Sequence, residues 1–102
     1  MNIYRQGDVL IVQTRDKRPS GVMRPPRNGR IILVEGEATG HHHAVPEICE
    51  VLEMEDGRMW MLAPDEIELT HQEHNTINIA PGTYWIVRQR EYAPEEIRYV
   101  QD

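Results

Sequence analysis

Glu66-Ile67-Glu68-Leu69-Thr70-His71 (residues 66–71) alternates apolar and polar side chains without a break until the terminal histidine. Successive side chains on a strand leave opposite faces, so Ile67, Leu69 and His71 share one face and Glu66, Glu68 and Thr70 the other. A helix would scatter the same residues around its circumference, so the period is that of a half-buried β-strand. The neighbouring segments carry the same signal. Residues 8–14 and 30–35 are β-branched runs, and residues 40–45 are extended up to Pro46. Residues 48–55 alternate in part, Asp56-Gly57 marks a hairpin turn, and residues 58–62 return from it. Pro64-Asp65 and Pro81-Gly82 are further turn signals, a short strand fits residues 76–80, and a long one fits residues 83–90. Residues 97–100 suit a last edge strand. The one helix candidate, residues 94–98, opens on a proline followed by two acids and allows one or two turns. The pattern predicts an all-β chain: one small β-barrel or sandwich of about eight short strands with little helix, spanning residues 1–102.

Composition agrees with that reading. At 102 residues, 39% hydrophobic and 27% charged, the chain has the balance of a single globular domain. No apolar run approaches the roughly 18 residues of a membrane span, and the opening residues lack the apolar core of a signal peptide. Cys49 is the one cysteine, which excludes an internal disulfide framework and a four-cysteine zinc site. A cytoplasmic location is the expectation.

Charge is distributed unevenly. Residues 1–30 hold seven Arg/Lys against two Asp, a net of +5, whereas residues 31–75 hold one Arg against eleven acids, a net of −10. Most of the basic excess lies in a Pro/Gly-rich loop at residues 15–30. Such a loop suits an acidic partner, and it equally suits the chain's own acidic middle. The net charge of −6 opposes the approach of a polyanion, and the loop has no aromatic residue on which bases could stack, so nucleic acid is not the expected partner. A protein partner or a second copy of the chain remains open.

The five histidines fall in two short clusters, His41-His42-His43 and His71-Gln72-Glu73-His74. On a strand, His41 and His43 leave the same face about 7 Å apart, close enough to converge on one ion, while His42 points away. His71 shares its face with Ile67 and Leu69 and is expected to point inward. Glu47 could add a carboxylate. The candidate metal ligands are therefore His41, His43, His71, His74 and Glu47, a donor set suited to zinc, nickel, iron or copper. The same histidines also fit an exposed polar turn and a core histidine bonded to a backbone carbonyl.

Two resemblances follow from these residues. His41-x-His43-x-x-x-Glu47, in an all-β chain, resembles the first metal-binding motif of the cupin barrels. That likeness implies His41, His43 and Glu47 as ligands, with His71 or His74 as the fourth. The cupin glycine six residues before the first histidine is Glu35 here, and the glycine seven residues after the glutamate is Met54. More broadly, Tyr4-Arg5-Gln6-Gly7-Asp8-Val9-Leu10, Glu35-Gly36-Glu37-Ala38-Thr39-Gly40-His41, Thr70-His71-Gln72-Glu73-His74 and Gln89-Arg90-Glu91-Tyr92 together resemble a family of short uncharacterised bacterial proteins. That likeness spans most of the chain and implies no activity. A weaker similarity is to the co-chaperonin barrel, whose mobile loop follows a strand like residues 8–12.

Other chemistry has less support. Glu47 and Glu50 flank Cys49 and work against a thiolate, so a buried, inert cysteine is expected. Glu73 is placed to be a general base or to fix an imidazole tautomer, and it also suits a solvated turn. Arg88 and Arg90 share a strand face, and pairing with the acidic middle is expected ahead of anion binding. Met54, Met59 and Met61 read as core filler rather than copper ligands. Phosphate-loop, dinucleotide and nucleophile-elbow motifs are missing. The balance favours a metal-binding protein over an enzyme. The alternative is a non-catalytic interaction module that uses the basic loop and an edge strand.

Overall fold

The computed structural model describes residues 1–36 and 40–89, and these form ten short antiparallel strands with no helix among them. They are β1 (Ile3–Gln6), β2 (Val9–Gln13), β3 (Val22–Met23), β4 (Arg30–Glu35) and β5 (His42–Pro46), then β6 (Glu50–Glu53), β7 (Met59–Ala63), β8 (Ile67–Leu69), β9 (Ile77–Ile79) and β10 (Gly82–Arg88). The helix expected at residues 94–98 and the strand expected at residues 97–100 lie outside the described residues.

Six strands form one sheet in the order β1-β2-β10-β7-β6-β3, and β4-β5 and β8-β9 are separate hairpin pairs. The sheets share one core. Ile11, Val45, Val51, Met61, Leu69, Ile79, Tyr84 and Ile86 are among its fully buried members. Alternation explains the inward set: in β8, Ile67 and Leu69 are buried while Glu68 between them is exposed.

Two strands were not expected. In β1, Ile3-Tyr4-Arg5-Gln6 lacks a β-branched run, and its inward end is the buried polar Gln6. In β3, two exposed residues lie inside the Pro/Gly-rich loop and pair with Glu53 and Leu52 of β6. The turn between β1 and β2 has only Gly7 and Asp8 at its centre, with Gly7 at φ 60°. That places glycine where a type II′ hairpin turn requires it.

The loop at residues 15–30 is tied to the protein's own acids. Arg18 makes two 2.9 Å bonds to Glu50, Arg24 binds Glu53 at 2.9 Å and the Ile32 carbonyl at 2.9 Å, and Arg27 faces Glu35 at 3.8 Å. Asp16 accepts from Trp85 Nε1 at 2.8 Å. Gly21 lies against the Leu52 side chain and the Glu53 backbone. The loop therefore covers a sheet face instead of standing free as the co-chaperonin likeness implied.

Candidate metal centre

Three segments converge at one end of the fold. The first is the β1–β2 turn. The second is the entry into β5, with His41 just before the strand and His43 within it. The third is the β8–β9 connection, which carries His71, Glu73 and His74. Backbone bonds set the register: Ala44 and Thr70 exchange both N–H···O bonds at 3.0 Å. In an antiparallel bridge the next residues are opposed, so His43 lies beside His71. The Gln6 amide then pins the connection by donating to the Leu69 carbonyl at 3.0 Å and the Asn75 carbonyl at 2.9 Å.

Four imidazoles gather there. Ring centroids are 4.4 Å apart for His43–His71, 4.6 Å for His71–His74, 5.9 Å for His43–His74 and 5.9 Å for His41–His71. The two histidine clusters thus meet in space. His74 owes its position to Gly7, because a Cβ there would fall 2.6 Å from His74 Nε2. His42 leaves the cluster, as the alternation predicts, and bonds through its backbone N–H to Gln72 Oε1 at 2.7 Å.

The hydrogen bonds fix two tautomers. Both N–H groups of the Gln6 amide are taken by carbonyls, so its oxygen faces His43 Nδ1 at 2.8 Å and must accept. His43 therefore carries its proton on Nδ1 and offers Nε2 as a lone pair. His71 is the opposite case. Its Nδ1 accepts the Glu73 backbone N–H at 3.0 Å, so the neutral ring carries its proton on Nε2. His41 Nδ1 faces the Glu73 carboxylate at 3.4 Å, which leaves its Nε2 free.

Electrostatics favour the neutral forms of His43 and His71. Burial, with the neighbouring His71 charge, pushes His43 down to about 4 despite Asp8. Burial also lowers His71, helped by His74 and His41. Burial raises Asp8, but the hydrogen bond and charge of Arg88 outweigh it and hold the carboxyl below its usual value. Neutral imidazoles are the form in which histidine binds metals.

The structure brings His41, His43, His71 and His74 together and leaves Glu47 out. Glu47 is exposed in the turn after β5, four residues and about 13 Å of strand beyond His43. Its N–H bonds to the Gly29 carbonyl at 3.0 Å. Among the described residues, no set of three or more His, Cys, Asp or Glu side chains is already arranged to hold a metal ion. Gln6, Gly7, Asp8 and Arg88 were missed as site residues. Among the described residues Arg88 pairs with Asp8 rather than with the acidic middle, its Nε donating to Asp8 Oδ2 at 2.8 Å, and Arg90 lies outside the described residues. A glutamine two residues beyond Tyr4, on the same inward face of an edge strand, is the signal that could have found the group. Cys49 is buried and its thiol is pushed up to about 11 by burial, as expected of an inert cysteine.

A family model described as a domain of unknown function (DUF8820) matches residues 5–89. The chain belongs to that family. The matched span of this DUF8820 domain includes Gln6, Asp8, all five histidines and Arg88. No curated protein and no solved structure matches the chain significantly. The cupin resemblance is not confirmed: the matched family model is described only as a domain of unknown function, and Glu47 stands away from the histidines.

Proposed function

We propose that this DUF8820 domain is a metal-binding β protein whose histidine cluster holds one divalent transition ion. The observation that carries the reading is the meeting of four imidazoles, each within 5.9 Å of a neighbour, from segments about thirty residues apart in sequence. His43 and His41 each have Nδ1 turned to an oxygen of Gln6 or Glu73, which leaves Nε2 for the ion. Histidine ligands of metals are commonly oriented in this way. His74 supplies a third nitrogen over Gly7. His71 joins only if its proton moves to Nδ1 and the Glu73 amide lets go; otherwise it donates a hydrogen bond to whatever the ion binds. Closing the site requires small side-chain rotations. His74 and Glu73 are exposed, so coordination positions not filled by protein fall to water or a small ligand. Zinc, nickel, iron and copper all suit such donors.

The sheets are read here as one flattened, partly open barrel rather than a sandwich. The Ala44–Thr70 bridge joins β5 to β8, and Gln6 ties β1 to the segment before β9.

The test is calorimetric titration of zinc into untagged, metal-free protein, beside a His41→Ala/His74→Ala variant. One zinc per chain, weakened at least tenfold in the variant, supports the centre. No binding of zinc, nickel, copper or iron would overturn it. A second reading, an interaction module, is favoured by the edge strand β3, where Val22 and Met23 are 73% and 55% exposed. Its readout is concentration-dependent self-association, or capture of a partner that Val22→Lys abolishes.

A further inference from the structure

We propose that Asp8 Oδ1 and His43 Nε2 form a two-donor seat for the metal ion, held from behind by Arg88 and Gln6. This rests on the metal-centre reading above and adds to it a carboxylate ligand from the β1–β2 turn.

His43 Nε2 and Asp8 Oδ1 face each other at 3.4 Å. The nitrogen is a lone pair, because Gln6 holds the ring proton on Nδ1, and a carboxylate oxygen can only accept. Two acceptors in opposition call for a positive charge between them. A proton on Nε2 would draw the pair toward the roughly 2.7–2.9 Å of a charge-assisted hydrogen bond, and the observed gap is longer. A metal ion accounts for the gap. With bonds of about 2.0–2.2 Å and a tetrahedral angle, its nitrogen and oxygen ligands stand roughly 3.4 Å apart.

His41 Nδ1 and Glu73 Oε1 show the same 3.4 Å separation, but Glu73 is 67% exposed and water can satisfy both groups. The His43 side chain is 4% exposed, so solvent does not solve its problem. Each donor of the seat is also fixed on its far side. Arg88 Nε occupies Asp8 Oδ2 at 2.8 Å, leaving Oδ1 toward the histidine. Gln6 Oε1 accepts from His43 Nδ1 at 2.8 Å. A mixed nitrogen and oxygen seat selects zinc, iron or nickel over copper(I), which prefers thiolate and thioether sulfur.

The experiment is zinc titration of the untagged wild-type protein, followed by carboxyl carbon and imidazole nitrogen NMR. The expected result is that the Asp8 carboxyl and His43 Nε2 signals move together and stop at one equivalent, while the Glu47 carboxyl stays in place. An Asp8→Asn variant, checked for folding by circular dichroism, should bind zinc at least tenfold more weakly, and Glu47→Gln should bind as wild type. If the histidine signals move and Asp8 stays still, the seat is wrong and the histidine centre stands. If no histidine signal moves, the metal-centre reading itself fails and the seat with it.

Discussion

A histidine whose side chain is 4% exposed has given up most of its hydration, and His43 does so as the neutral ring. Its folded-state value near 4 lies below the 6.5 of a free histidine. Between those values the unfolded chain binds the extra proton, so stability is fully present above about pH 6.5 and is lost as pH falls toward 4. Metal-free protein unfolded in urea should be roughly 2 kcal/mol less stable at pH 4.5 than at pH 7 from this residue alone. His43→Gln should reduce that difference. Gly7 serves the same site through its missing side chain. Gly7→Ala places a Cβ 2.6 Å from His74 Nε2 at φ 60°. It should cost about 1–2 kcal/mol in denaturant unfolding and weaken zinc binding by displacing His74. Cys49, buried and pushed up to about 11, should react with a thiol reagent only when the chain unfolds. Rapid labelling of the native protein would contradict its placement.

Among the elements, the contact between β5 and the end of β8 decides whether the two histidine clusters meet. Thr70→Pro removes the N–H that bonds the Ala44 carbonyl at 3.0 Å, and with it the bridge that sets His43 beside His71. It should abolish zinc binding at temperatures where circular dichroism still reports strands; retained affinity would show that the clusters meet by other means. The strands themselves were legible wherever side chains alternate around an apolar face, as in β8, or run β-branched, as in β2 and β4. β1 was not, because Ile3 is exposed and its inward residues are the half-buried Tyr4 and the polar Gln6. The Asn28-Gly29 pair was a readable hairpin signal that sequence reasoning passed over. Asn28 at φ 53° and Gly29 at φ 81° form the tight turn between Arg27 and Arg30. The pairing partner of His41 and His43 was not readable, since no local pattern states which strand β5 will meet.

For the molecule as a whole, the charge split has a structural outcome: Arg18, Arg24 and Arg27 of the basic loop turn to Glu50, Glu53 and Glu35 of the acidic middle. The sequence could show that these charges were complementary, but it could not show that the loop lies across the sheet. The candidate site was legible as four histidines. A carboxylate was sought in Glu47, just past the strand of His43, while the carboxylate beside His43 is Asp8, in a turn more than thirty residues earlier in the chain. Among the described residues, no helix is long and apolar enough to cross a membrane. On the proposed metal binding by the folded chain, zinc at about a hundred times its dissociation constant should add about 2.7 kcal/mol of stability. For a domain of this size that should raise the melting temperature by roughly 10 °C or more. The most direct measurement is the metal content of untagged protein purified without a metal column, read by mass spectrometry before and after exposure to zinc, nickel, iron and copper. The account predicts close to one divalent ion per chain, lost in the His41→Ala/His74→Ala variant. A wild-type protein that carries no metal and takes none up would contradict it.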